Sequence, residues 1–231
     1  MSVSTSERVS RQTPRLHAAI ADLVPWIDAL REVGTQFWQR GWSLGTSSNY
    51  SVVVQRQPLE LLVTASGKDK GRLSRMDFVR VGEDGCPVGR GQPAASAETL
   101  LHVVAARQSD VGAVLHTHSV WSTVLSEHFF PQGRLLLAGY EMLKGLAGIT
   151  THQTEVWLEI FDNTQDIPGL AQQVAKRLSD AARPLRFGYL IRGHGLYTWG
   201  RDLDEARRHV EVLEFLLECT GRRLALENGL A

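Results

Sequence analysis

The chain has 231 residues, 43% hydrophobic and 22% charged, an ordinary globular balance with enough apolar side chains to fill a core. Lys plus Arg and Asp plus Glu both number 25, so the formal charge is zero and the basic excess expected of a nucleic-acid binder is missing. Two cysteines, Cys86 and Cys219, are too few and too scattered for a disulfide framework or a cysteine zinc site, which fits reduced thiols in the cytosol. The polar, Ser-rich start lacks the apolar core of a signal peptide, and no apolar run reaches bilayer length. The expectation is a cytoplasmic protein with no membrane and no nucleic-acid partner.

Residues 1–14 read as a flexible tail. No Pro/Gly/Ser-rich linker follows, so residues 15–231 read as one domain. A helical pattern runs from Arg15 to Trp42, with Pro25 restarting it at a first-turn position. Gly45-Thr-Ser-Ser-Asn49 is a turn cluster ahead of the strand-like Tyr50–Val54. A second strand, Leu59–Thr64, ends in the small-residue loop Ala65-Ser-Gly-Lys-Asp69. Asp77–Val81 is a short strand, and Gly82-Glu-Asp-Gly85 a hairpin turn. Ser96 is placed as N-cap of the apolar helix Leu100–Ala106. A strand ending in His116-Thr-His118 comes next, then a short helix over Val120–Ser126 and a helical turn over Glu141–Leu146. Thr154–Ile160 alternates like a strand, and Pro168–Ala182 is an amphipathic helix. Phe187–Ile191 and Gly195–Trp199 read as paired strands around the turn that carries His194. The last helix, Leu203 to about Arg223, opens with acids and closes with bases, matching its dipole. Strands and helices do not alternate strictly, and some strands are hairpin-linked. That predicts a three-layer α/β or α+β domain, with a mixed or mostly antiparallel sheet and not a doubly wound parallel one.

The histidines carry the chemistry. Side chains two apart on a strand share a face, so His116 and His118 can grip one ion and His194 can close the set. Three protein ligands with an open position is a catalytic metal arrangement. The plain alternative is a pair of core or surface histidines. His194 lies between two glycines, which permit close approach. His102 sits in a helix as a structural or supporting residue, His152 lies in a loop that can be near the site, and His17 is weaker still. Glu98 and Glu141 stand at helix starts, where an acid ordinarily complements the dipole. A metal that polarises a carbonyl nevertheless needs a base, and a carboxylate is the usual one. The loops Gly45–Asn49 and Ser66–Gly67 offer N–H groups and hydroxyls that can cradle a phosphate, though ordinary turns look the same and no nucleotide fingerprint is present. Lys68, Lys70 and Arg72 add positive charge beside the second loop; a solvated basic turn is the bland reading.

Taken together, Gly45-Thr-Ser-Ser-Asn49, Thr64-Ala-Ser-Gly67, Ser96-Ala-Glu98, His116-Thr-His118 and Arg192-Gly-His-Gly195 resemble the class II (metal-dependent) aldolase family, over nearly the whole chain from about residue 20 to 222. Within that family, Ser66-Gly-Lys-Asp-Lys-Gly71, His116-Thr-His-Ser-Val-Trp121, Gly193-His-Gly-Leu-Tyr-Thr-Trp-Gly200 and above all Glu141-Met-Leu-Lys-Gly145 are most similar to the methylthioribulose-1-phosphate dehydratases of methionine salvage. The resemblance implies a three-layer α/β/α catalytic domain and a homotetramer with active sites near subunit interfaces. It implies one Zn2+ per subunit on His116, His118 and His194, and Glu141 as the acid/base. It also implies a sugar-phosphate substrate whose phosphate is held by Thr46, Ser48, Asn49, Ser66, Gly67 and Lys68. Sugar-phosphate aldolases of the family place their acid/base in the Ser-x-Glu piece, here Glu98, which in this reading is a metal-proximal residue; the usual Pro before that piece is Ala95. The implied reaction polarises the C2 carbonyl of a 2-ketose 1-phosphate, removes the C3 proton and expels the C4 hydroxyl as water. Two alternatives remain: a class II sugar-phosphate aldolase or epimerase, and a non-catalytic metal-binding adaptor on the same fold. The complete histidine set and Glu141 speak against the second.

Overall fold

The protein is described by a computed structural model over residues 16–229. The expected tail, residues 1–14, lies outside the described residues. Helix α1 (Val24–Gln39) follows a 3-10 turn at Ala18–Ile20 and carries Pro25 in its first turn, where no intrahelical N–H is lost. The restart expected at Pro25 is what forms, with a 3-10 turn in place of helix ahead of it. Strands β1 (Asn49–Arg56), β2 (Leu59–Thr64) and β3 (Phe78–Val81) come next. Then follow α2 (Thr99–Ala106), β4 (Ala113–Thr117) and α3 (Val120–Phe129). After β5 (Arg134–Ala138) and a 3-10 turn at Glu141–Gly145 come β6 (Glu155–Phe161) and α4 (Ile167–Leu178). The chain closes with β7 (Gly188–Ile191), β8 (Gly195–Gly200) and α5 (Leu203–Glu227).

All eight strands form one sheet in the order β3-β2-β1-β4-β8-β7-β6-β5. Six of the seven pairings are antiparallel, and only β6 with β7 is parallel. One face packs on α1, α3 and α5, through Ile27, Leu30 and Phe37 on one side and Leu125, Leu213 and Leu216 on the other. The opposite face packs on α2 and α4, where Leu101, Val104, Leu170 and Val174 meet Val114, Tyr189 and Tyr197. The expected three-layer α/β/α arrangement with a mixed, mostly antiparallel sheet is what forms. Among the described residues, no helix is long and apolar enough to cross a membrane.

Local chemistry sets the helix starts. Ser119 Oγ accepts from Ser122 N at α3, Asp166 from Gly169 N at α4, and Asp202 from Glu205 N at α5. Ser96 is not such a cap. Glu98 occupies the N-cap of α2, and Ser96 instead makes the turn before it, its Oγ accepting from Glu98 N at 3.3 Å. Strand β5 has no counterpart among the predicted elements: its three leucines do not alternate in type, so periodicity is silent there. Helix α5 runs a turn beyond Arg223, which leaves no base in its last turn.

Candidate metal centre

Strand directions decide which loops meet. The antiparallel pairings send the C-terminal end of β4 and the N-terminal ends of β8 and β1 to one edge of the sheet, together with the end of β2. That edge collects His116 and His118, His194, Asn49 and the Ala65–Gly67 loop. In register, Asn49 faces His116 across β1–β4, and His116 faces Tyr197 across β4–β8. Gly195 is needed for this approach, since a Cβ there would stand 2.1 Å from the Thr117 carbonyl oxygen.

The three Nε2 atoms converge: His118 to His116 at 2.7 Å, His118 to His194 at 3.1 Å, and His116 to His194 at 3.3 Å. Nitrogens bound tetrahedrally at roughly 2.0–2.1 Å from zinc stand about 3.3 Å apart, so the set fits a single ion with little adjustment. His116 Nδ1 lies 2.9 Å from the Leu196 carbonyl and can only donate to it, which leaves a bare lone pair on Nε2. Burial holds the His116 imidazole well below its ordinary pKa and pushes His118 down to about 3, with neighbouring imidazoles adding to both shifts. Both rings are therefore in the neutral, ligand-competent form. Tyr197 stacks flat on His116, with centroids 3.9 Å apart, and Tyr189 stacks behind Tyr197 at 5.1 Å.

A carboxylate faces the converged nitrogens, and it is Glu98. Its Oε1 lies 3.3 Å from His194 Nε2 and its Oε2 3.7 Å from His116 Nε2. Oε2 also accepts from Asn49 Nδ2 at 2.8 Å and from the Tyr197 hydroxyl at 3.1 Å. The side chain is 18% exposed, open on one side only.

Two small cavities adjoin this carboxylate. One, about 290 Å³, is lined by Thr46, Ser48, Asn49, Ser66, Gly67, Glu98 and His118, so the two predicted loops share one space with Glu98 and one histidine of the triad. Ser48 and Gly67 have left-handed backbones, with φ of 69° and 67°. The second, about 250 Å³, adds Asn163, Thr164 and Gln165 to Ser66, Glu98 and His194. That polar loop after β6 escaped the sequence reading, although its run of turn-forming residues is a visible signal. A larger cavity, about 670 Å³ between Arg134, Trp157, Arg177 and Arg186, holds none of these residues and lies apart from the chemistry.

Not every predicted site residue arrives. Lys68 does not line the cavity; its ammonium pairs with Asp77 at 2.9 Å. Lys70 is the buried cation of that loop, with Nζ donating to the Lys68 carbonyl at 2.6 Å and burial lowering its pKa to about 8. His152 pairs with Glu141 at 2.8 Å, not with the triad. Glu141 itself is not brought to the triad within one chain. β5 runs opposite to β4, so the chain leaves it at the other edge of the sheet, and the Glu141 side chain is 66% exposed. A hydrogen bond from Lys144, with His152 adding, holds the carboxyl below its usual range and ionised.

Residues 28–220 match the model of the class II aldolase and adducin N-terminal domain family. A protein from Pectobacterium carotovorum described as methylthioribulose-1-phosphate dehydratase is 50% identical over 192 residues, covering 82% of this chain and 90% of its own. One of the same description from Xanthomonas campestris is 44% identical, covering 97% and 98%. The crystal structure of L-fuculose-1-phosphate aldolase from Thermus thermophilus superposes with a TM-score of 0.69 at 23% identity, over 89% of this chain and 98% of that one, and so shares the fold. The chain belongs to the class II aldolase and adducin N-terminal domain family, on its methylthioribulose-1-phosphate dehydratase branch.

Proposed function

We propose that the protein is a zinc-dependent methylthioribulose-1-phosphate dehydratase, a lyase that removes water from 5-methylthioribulose 1-phosphate to give 2,3-diketo-5-methylthiopentyl 1-phosphate in methionine salvage. Residues 15–231 form its single catalytic unit, working in the cytoplasm as a homotetramer. One observation carries the reading: three Nε2 atoms converge opposite the Glu98 carboxylate, at the mouth of a cavity lined by small hydroxyl residues. The likeness to named dehydratases over most of the chain supports the substrate class.

His116, His118 and His194 hold one Zn2+, which when bound polarises the substrate's C2 carbonyl and acidifies the adjacent C3–H bond. Thr46, Ser48, Asn49, Ser66 and Gly67 take the phosphate through hydroxyls and backbone N–H groups, the left-handed turns aiming donors into the cavity. Lys68 and Lys70 supply positive charge behind that loop. Glu141 takes the C3 proton, the C–H electron pair becomes the C2–C3 double bond and the carbonyl π pair moves onto the C2 oxygen, to re-form the carbonyl as the C2–C3 pair shifts to C3–C4. The C4–O bond breaks, the hydroxyl leaves as water with a proton returned by a carboxyl, and the enol tautomerises to the 2,3-diketone. Because Glu141 is exposed and leaves the sheet at the far edge, it serves a neighbouring subunit's triad, which accounts for a homotetramer with shared sites. Glu98 has one oxygen occupied by Asn49 and Tyr197, and offers the other to a hydroxyl at the triad.

One observation favours a second reading, a sugar-phosphate aldolase or epimerase: within a single chain the carboxylate at the triad is Glu98. Incubation with 5-methylthioribulose 1-phosphate and a panel of other ketose 1-phosphates separates the two. The dehydratase reading expects diketone and water from the first substrate. Carbon–carbon cleavage or epimerisation of another ketose phosphate, with no diketone formed, would overturn it.

A further inference from the structure

Behind Glu98 and Asn49 lie two buried polar side chains, His102 and Ser51, to which the proposed reaction gives no role. His102 of α2 is fully enclosed, in edge contact with Tyr197 at 5.7 Å. Its Nδ1 lies 2.8 Å from Ser51 Oγ, and its Nε2 is hydrogen-bonded to Asn49 Oδ1. Asn49 in turn gives Nδ2 to Glu98. The order is Ser51, His102, Asn49, Glu98, running from the core to the triad.

We propose that His102 is a positioning residue for Glu98, acting through its tautomer. Neutral imidazole has one N–H and one lone pair. With the proton on Nε2, His102 donates to Asn49 Oδ1 and accepts the Ser51 hydroxyl on Nδ1. The Asn49 amide is then locked with its NH2 group toward Glu98. With the proton on Nδ1, the whole chain inverts. Ser51 turns its hydroxyl to the Val114 carbonyl, 3.4 Å away, and Asn49 must present its NH2 to His102 and its carbonyl to Glu98. A carbonyl oxygen against a carboxylate is repulsive, and Glu98 loses one of the two donors on Oε2. The Ser51 contact is also the shorter in the first arrangement. Burial pushes the ring's pKa down to about 3, the Val114 carbonyl opposing as an acceptor, so the ring stays neutral and the choice is between its two tautomers. His102 thus fixes which end of Asn49 meets the carboxylate and, with it, where Glu98 Oε1 points.

The inference rests on Glu98 and the triad being the reacting centre, and not on which ketose phosphate is the substrate. The test has two arms. In protein carrying 15N-labelled histidine, the His102 resonances, identified by their loss in His102→Gln, report the tautomer directly and need no turnover. An Nε2–H form is expected, and an Nδ1–H form overturns the proposal even in a fully active enzyme. The second arm is kinetic. His102→Gln keeps a donor near the Nε2 position, and His102→Leu removes it. Removing a partner of this kind costs about 10–10²-fold, so kcat should fall by that factor in His102→Leu while metal content and KM hold. His102→Gln should recover most of it. Adding His102→Leu to Asn49→Ala should cost nothing more, because both act through the same oxygen of Glu98. Equal activity of wild type and a folded, metal-replete His102→Leu overturns the proposal, as does full additivity of the pair. Should His102→Leu not fold, the tautomer and the His102→Gln rates still decide. If no ketose phosphate is turned over, the dehydratase reading fails, and the resonance measurement alone judges His102.

Discussion

Glu98 and Glu141 are both carboxylates at the start of a helical turn, yet the fold treats them in opposite ways. Glu98 is held by Asn49 and Tyr197, faces two imidazoles and keeps one open side. Glu141 is exposed, paired only with Lys144 and His152, and stands beyond the end of β5 at the other edge of the sheet. The first is preorganised by its own chain. The second has no fixed surroundings that a catalytic proton transfer needs unless another subunit supplies them. The contrast is between a carboxylate that this chain fixes beside three converging imidazoles and one that it leaves exposed at the far end of the strands.

The hardest blow to the preorganised side is His116→Ala. Three ligands leave no redundancy, so this variant should lose most of its metal, read by elemental analysis, and its turnover should fall to background. Full metal occupancy in the variant would sink the triad assignment.

Next come the carboxylates themselves. Glu141→Gln should lower kcat by about 10²–10⁴-fold with zinc retained, and Glu98→Gln should cost less. Mixing subunits sharpens the point. His116→Ala lacks the metal site and Glu141→Gln lacks the base, so each is inactive alone. If Glu141 works in a neighbour's site, refolding the two together restores about a quarter of the sites by random assortment. No recovery would place the base on the same chain as the metal. Glu98→Gln abolishing turnover with zinc bound, while Glu141→Gln does not, would reverse the roles and favour aldolase-type chemistry.

A smaller effect belongs to the phosphate loops, where Ser66→Ala should raise KM by roughly tenfold and leave kcat in place. An unchanged KM for both Ser66→Ala and Ser48→Ala would locate the phosphate elsewhere.

The same contrast explains what the sequence made legible. His116 and His118 announce themselves because strand alternation is a local rule, and His194 because Gly193 and Gly195 mark a turn and a close approach. The carboxylate that meets them depends on register, Asn49 opposite His116 and His116 opposite Tyr197, and no local pattern encodes a register. The sequence therefore gives Glu98 no partners, does not mark Tyr197, and shows His102 only as a helical histidine. Nor does any local pattern tell which lysine of Ser66-Gly-Lys-Asp-Lys-Gly71 turns inward; packing buries Lys70 and leaves Lys68 to Asp77. Ser96 carries the composition of a cap, but the turn it makes carries Glu98 into the cap position.

The smallest effect concerns the other side of the His-x-His strand. Thr117 points away from the triad and donates to the buried Glu214 of α5 at 2.6 Å, while Glu214 Oε2 has no hydrogen-bond partner among the described residues. Burial raises this carboxyl to about 7; the hydroxyls of Ser119 and Thr117 oppose the shift, and no charged group from β4, β8, α3 or β5 contributes to it. A carboxyl whose folded pKa is raised adds stability that is fully present below its unfolded pKa, near 4.5, and is lost as pH rises through about 7. From 4.5 to about 7, at 1.36 kcal/mol per unit, the ceiling is roughly 3 kcal/mol, relaxation reducing what is realised. Wild type should therefore lose a few degrees of Tm between pH 5 and pH 8 that Glu214→Gln does not lose, Gln keeping an acceptor for Thr117 without an ionisation. The difference is read by melting both proteins across that range at fixed metal content. Parallel pH profiles would mean that Glu214 is already ionised in the fold, and that the strand bearing His116 and His118 rests on a charge instead of a protonated acid.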